Sequence, residues 1–127
     1  MNSLDANVVL RYLLNDLPEQ SKKARHLIAS SQCYVSDVIL TEVVFVLEKL
    51  SGFPRADIAV LLRRLISLKN VSCNEVLFDR AIELYMKKKQ LSFPDCFIAV
   101  EASFSGDFVL TFDKDLIKHG GSHVKEP

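Results

Sequence analysis

Two periodicities of apolar and polar positions alternate along the chain. Stretches with apolar residues three and four apart predict helices. Asn7 to Asn15 carries Val8, Val9, Leu10, Leu13 and Leu14. Glu19 to Ser30, after the break at Leu17-Pro18, carries Ala24, Leu27 and Ile28. Ser36 to Leu50 is more uniformly apolar, and Gly52 and Pro54 stop it. Arg55 to Leu68 repeats the pattern through Ile58, Leu61, Leu62, Leu65 and Ile66, and Glu75 to Lys88 forms the next helix. The helix opened by SFPD ends near Gly106, and a short one spans Lys114 to Lys118 before Gly120-Gly121.

Between the helices lie short apolar runs that predict strands. Leu4 closes the first, followed by Cys33-Tyr34-Val35 and Val71-Ser72-Cys73. Asp107 to Leu110 reads as the clearest buried strand, and His123-Val124 as a last edge strand. Short strands alternating with helices imply a parallel sheet covered on both faces. The expected fold is therefore three-layer α/β, a short central parallel sheet flanked by helices, in one domain over residues 1–127. In such sheets ligands sit beyond the carboxyl ends of the strands.

Composition narrows the picture. Of 127 residues, 49% are hydrophobic and 25% charged, which excludes a disordered chain and fits one domain with a real core. No apolar run is long enough to cross a bilayer, so no membrane association is expected. MNSLDANVVL lacks the features of a signal peptide. Cys33, Cys73 and Cys96 are widely spaced and odd in number, which argues for a reduced, cytoplasmic setting rather than a disulfide framework. His26, His119 and His123 lack zinc-ligand spacing, and no glycine-rich nucleotide motif occurs.

The strand rule directs attention to acids. Asp5 follows the first strand in LDAN, and Asp113 follows FVL in LTFD. Asp95 begins a helix in SFPD, and Glu42 lies deep within LTEVVFVLEKL. Each has a plain structural reading beside the functional one. Asp5 and Asp113 fit helix N-caps, and Ser92-x-x-Asp95 fits a capping box. N-capping cannot explain Glu42, although a solvated position near Lys49 can. Together the four acids fit a different role. Carboxylates brought close repel one another and need a cation. Mg²⁺ or Mn²⁺ takes such oxygen ligands and supports phosphodiester hydrolysis.

LDAN with VVLRYLLND, SDVILTEVVFVLEKL, SFPDCFIAV and FVLTFDKDL occur in the order and spacing of a PIN domain. The chain resembles a VapC-type toxin ribonuclease over nearly its whole length. That resemblance implies a metal-dependent endoribonuclease in which Asp5, Glu42, Asp95 and Asp113 hold Mg²⁺ or Mn²⁺. It implies supporting roles for Asn7 and Thr111, with Asp115 sharing the fourth acidic position. It further implies an RNA substrate, a homodimer and a cognate antitoxin that blocks the groove. The chain departs from the family pattern in the polar pair Asn2-Ser3 before Leu4, and in Ala6 where a hydroxyl residue is common.

Sixteen basic and 16 acidic residues balance formally. Setting the four metal-binding acids aside leaves an excess of four positive charges, which suits a phosphate-rich partner. Arg11, one helical turn from Asn7, is the basic residue expected to border the site and contact substrate. Two other functions are consistent with parts of the pattern. One is a non-catalytic PIN-like binding module. The other is phosphoryl transfer through Asp5 as an aspartate nucleophile, although Asn7 replaces the second acid of a D-x-D motif.

Overall fold

A computed structural model describes all 127 residues. The chain divides into two compact units, Met1–Glu75 and Val76–Pro127.

The first unit is built on a three-stranded parallel sheet in the order β1 (Asn2–Ser3), β2 (Cys33–Tyr34), β3 (Val71–Ser72). Asn2 pairs with Cys33, and Cys33 with Val71. Each strand is only two residues long, but flanking amides extend the ladder. Leu4 N donates to Tyr34 O at 2.9 Å and Val35 N to Ser72 O at 3.0 Å. Leu4 and Val35, the apolar residues just past strands β1 and β2, are buried. Chain direction is restored between the strands by α1 (Ala6–Leu14) and α2 (Pro18–Ser30), then by α3 (Asp37–Phe45) and α4 (Arg55–Ile66).

The helix ends follow local chemistry. Asn15 terminates α1 in the left-handed region at φ 50°, a conformation asparagine tolerates. Pro18 occupies the first turn of α2, where a missing N–H costs nothing. Ser36 caps α3 by accepting from Ile39 N at 3.3 Å. The apolar stripes then bury Val9, Leu10 and Leu13 of α1, Leu40 and Val43 of α3, and Ile58, Leu62 and Leu65 of α4. Each such side chain contributes about 1.5–3 kcal/mol when fully buried.

The sequence predicts one helix from Ser36 to Leu50. The structure divides it. The α-helix stops at Phe45, and Val46–Leu50 continues as a π-helical turn. The amide of Val46 is shared between the carbonyls of Glu42 and Val43, and Ser51 N reaches back five residues to Val46 O. β-Branched residues crowd the preceding turn of an α-helix, and Val43, Val44 and Val46 crowd this one. A wider turn relieves that crowding. An apolar run this continuous carries no periodicity that separates 3.6 residues per turn from a wider one.

The second unit packs α5 (Glu75–Lys87) and α6 (Phe93–Ser105) with a two-stranded parallel sheet, β4 (Val109–Leu110) and β5 (Val124–Lys125), joined through α7 (Lys114–His119). Its core is aromatic. Tyr85 and Phe93 meet edge to face at 5.5 Å, and Phe97 lies 5.8 Å from Phe78. Gly106 ends α6 at φ 76°, which a side chain would strain. Gly120 is required for space instead. A Cβ there would lie 2.6 Å from Leu116 O and 2.8 Å from a Val124 methyl.

One expectation about this unit is overturned. Asp107 to Leu110 is not a buried strand. Pairing is confined to Val109–Leu110, with Val109 opposite Val124. Phe108 is 52% exposed and Leu110 58%. The strand has one ladder neighbour, and its alternate side chains on one face lie open. An apolar run identifies an extended segment but does not reveal whether both faces are covered.

Candidate metal and nucleic-acid site

Asp5 sits at the junction of β1 and α1, in extended conformation at the N-cap position, yet its side chain makes no cap hydrogen bond. Its backbone carbonyl accepts from Val8 N and Val9 N instead. The carboxylate is exposed. The capping explanation for this residue therefore fails. Asn7 follows in the first turn of α1, also exposed, and borders a cleft of about 270 Å³ between α1 and α2. Arg11 and Lys23 line the same cleft with Val8, Ala24 and Leu27. Arg11 Nε is buried and lies 3.3 Å from Asp16 Oδ1, close enough for charge attraction but without hydrogen-bond alignment.

Glu42 projects from α3 one turn before the π-helical segment and is exposed. Lys49 does not neutralise it, because Lys49 pairs with Glu48 at 3.3 Å. π-Helical turns recur beside functional residues, where they re-aim side chains.

Asp95 occupies the first turn of α6. Ser92, not Asp95, caps this helix, its hydroxyl accepting from Asp95 N at 3.2 Å. The reciprocal half of a capping box is absent. Asp95 is half-buried, and Ala99 and Ala102 behind it are buried. A negative side chain this close to a helix N-terminus is stabilised by the dipole.

Asp113 does serve as a cap. Its Oδ1 accepts from Asp115 N at 2.9 Å and Leu116 N at 3.1 Å, opening α7. Oδ2 is left for another donor or a cation. Thr111 fixes the turn by accepting from Asp113 N at 3.0 Å. Asp115 is exposed in the first turn of α7, where its charge favours the helix dipole.

The four acids thus stand two in each unit, Asp5 and Asp113 at junctions between an extended segment and a helix, Asp95 in the first turn of α6 and Glu42 within α3. Neither unit by itself gathers three or more His, Cys, Asp or Glu side chains around one metal position. The donor chemistry fits a hard divalent cation, since every candidate ligand is a carboxylate oxygen and no histidine or thiolate is among them.

The cysteines are excluded from catalysis by their surroundings. Cys33 and Cys96 are buried. Burial pushes the Cys73 thiol up to about 11, with Glu75 and then Asp37 adding to the effect. A thiol so placed is protonated at neutral pH and is a poor nucleophile.

Sequence reasoning missed a group in the second unit. Phe112, directly before Asp113, is 79% exposed. Phe108 is stacked on His123 at 5.4 Å, with Lys125 Nζ 4.1 Å from its ring centre. The available clue was the alternation of Phe108, Leu110 and Phe112 toward an acid.

Short parallel strands alternating with helices define an α/β fold. The PIN domain model matches residues 3–121, and the chain belongs to the PIN domain family. PIN domains are in general nucleases that bind nucleic acid and typically use divalent metals. A search of curated proteins finds no match to the chain. No helix is long and apolar enough to cross a membrane.

Proposed function

We propose that residues 1–127 act as one PIN-like domain, a metal-dependent endoribonuclease and the toxin of a toxin–antitoxin pair. Asp5, Glu42, Asp95 and Asp113 are the ligands for Mg²⁺ or Mn²⁺. The observation that carries this reading is the division of labour at α6. Ser92 caps the helix, so the Asp95 carboxylate is kept at the positive helix end without a structural hydrogen bond to satisfy. The same is true of Asp5 at α1.

A bound divalent ion lowers the pKa of a coordinated water and neutralises charge on a phosphoryl oxygen. The chain's own residues hold and orient. Thr111 locks the backbone at Asp113, and the α7 amides fix Oδ1 so that the carboxylate presents Oδ2. Asp115 adds negative charge beside it. Asn7 supports Asp5 from the first turn of α1. Arg11, steadied by Asp16, contributes a cation for a substrate phosphate.

The test is cleavage of total RNA by purified protein with Mg²⁺ or Mn²⁺, with mapping of the cut ends. Cleavage that persists in EDTA and in Asp95→Asn rejects the site. The toxin reading further calls for a homodimer, a cytoplasmic setting and a cognate antitoxin. These are checked by sedimentation of the purified protein and by co-purification with the product of the adjacent gene.

A further inference from the structure

We propose that the cleft between α1 and α2 is a nucleotide subsite. It takes one unstacked base of single-stranded RNA on its apolar floor and an adjoining phosphate on Arg11 and Lys23. This rests on the nuclease reading and gives that site a specificity-determining pocket beside Asp5.

Placement is the first support. Asp5 stands at the N-cap position of α1, and Asn7, two residues on, is exposed at the rim of the cleft. Arg11 lies one turn further along the same helix face, about 6 Å along the axis from Asn7. An RNA strand held at Asp5 therefore has the cleft within a nucleotide or so of its path. The opposite wall is the stripe Gln20, Lys23, Ala24 and Leu27, spaced three and four apart on α2. Ala24, in the middle of that stripe, is buried and contributes only a methyl, which leaves room for about 270 Å³ between the helices.

Charge selects the occupant. Arg11 and Lys23 line the cleft, and no acid does. The chain gives the buried Arg11 Nε no hydrogen-bond acceptor, since Asp16 stands at 3.3 Å out of alignment. A phosphate oxygen supplies both the acceptor and the charge that a guanidinium fork matches. A second depression, of about 660 Å³, shares Lys23 and Leu27 and adds Lys22 and His26 against the single acid Glu19. Cations thus continue along α2 from the cleft, which suits a phosphate backbone. The floor of Val8, Ala24 and Leu27 suits the face of a base, and the amides of Asn7 and Gln20 offer its edge both donors and acceptors. A slot between two helices admits a base only when it is splayed from its strand, so duplex RNA is excluded.

The probe is a fluorescein-labelled single-stranded RNA of mixed sequence, titrated with Mg²⁺ present into Asp95→Asn protein to prevent cleavage. In that background Lys23→Gln should weaken binding and lower the slope of log affinity against log salt by about 0.7, the share of one phosphate contact. Val8→Trp, which lays an indole across the floor, should weaken binding roughly tenfold with the slope unchanged. Its melting temperature checks the fold, and Gln20→Ala, at an exposed position, gives a second reading in otherwise unaltered protein. Gln20→Ala should relax the base preference at one position beside the cut.

An unchanged slope in Lys23→Gln, full affinity in folded Val8→Trp, equal binding of duplex RNA, or an unaltered cut-site preference in Gln20→Ala overturns the subsite. So does a Val8→Trp protein that keeps its RNA affinity but no longer co-purifies with the product of the adjacent gene, because the cleft then belongs to a protein partner. Metal-dependent cleavage alongside any of these results removes the subsite and leaves the nuclease. Weakened binding in both Lys23→Gln and Val8→Trp without any metal-dependent cleavage keeps the cleft as an RNA site and removes the nuclease.

Discussion

The hydroxyl of Thr111 accepts the amide hydrogen of Asp113 at 3.0 Å, and Asp113 in turn accepts two amides of α7. Asp113 caps α7 and is also a proposed metal ligand, and two substitutions separate these roles. Asp113→Ser supplies a good cap and a poor cation ligand. It should stay within about 0.5 kcal/mol of the parent in urea unfolding, while Asp113→Ala loses about 1 kcal/mol. Both should lose metal-dependent cleavage. Retained activity in Asp113→Ser removes Asp113 from the ligand set.

At α6 the cap is Ser92 and the proposed ligand is Asp95. Ser92→Ala should cost about 1 kcal/mol of stability, since the Asp95 amide loses its acceptor. Asp95→Asn should leave stability nearly unchanged and reduce cleavage at least about 100-fold, the scale on which electrostatic contacts in active sites act. Thermal melting and initial rates measured on the same preparations check this. An Asp95→Asn protein that melts early but cleaves normally contradicts it.

Metal linkage offers a readout independent of activity. A cation that binds only the folded chain stabilises it by about 2.7 kcal/mol when present at 100 times its dissociation constant. Mg²⁺ or Mn²⁺ should raise the melting temperature of the parent protein, and EDTA should reverse the shift and stop cleavage. Asp5→Asn and Asp95→Asn should show a reduced shift. A shift that is the same in all three proteins places the cation elsewhere.

Helix ends and most strand positions were legible in the sequence, because each rests on a local rule. Pro18, Ser36, Ser92 and Gly106 terminate helices where the pattern places them. The π-helical turn at Val46 was not legible, since VVFVL is apolar in every direction. The exposure of Phe108 and Leu110 was not legible either, because coverage of a strand face is a tertiary property. For the acids, the sequence supplied identity and order. It left Asp5 and Asp113 equivalent as possible caps, and the hydrogen bonds then separated them.

The Cys73 thiol provides a pH test. Its ordinary value of 9.0 is raised to about 11 in the folded chain, first by burial, then by Glu75 and Asp37. Between those values the unfolded chain binds fewer protons than the folded one, so stability falls as pH rises through that window. Below it this contribution is fully present. Urea unfolding at pH 8, 10 and 11 should show the decline, and Cys73→Ser should lessen it. Alkylation of Cys73 by iodoacetamide at pH 8 should be slow relative to a free cysteine.

Gly120 tests packing in the second unit. Its added methyl would press on Leu116 O and the Val124 side chain. Gly120→Ala should destabilise by about 1–3 kcal/mol, the usual cost of overpacking. Gly121→Ala meets no atom but strains a backbone at φ 97°. Urea midpoints that rank Gly120→Ala as harmless would mean that α7 and β5 separate readily.

Ser92 carries a consequence for how such a chain evolves. With the start of α6 secured by a hydroxyl, the neighbouring carboxylate is free to change without loss of the scaffold. A single codon change at Asp95 would then yield a chain that still folds, with the cap of α6 intact.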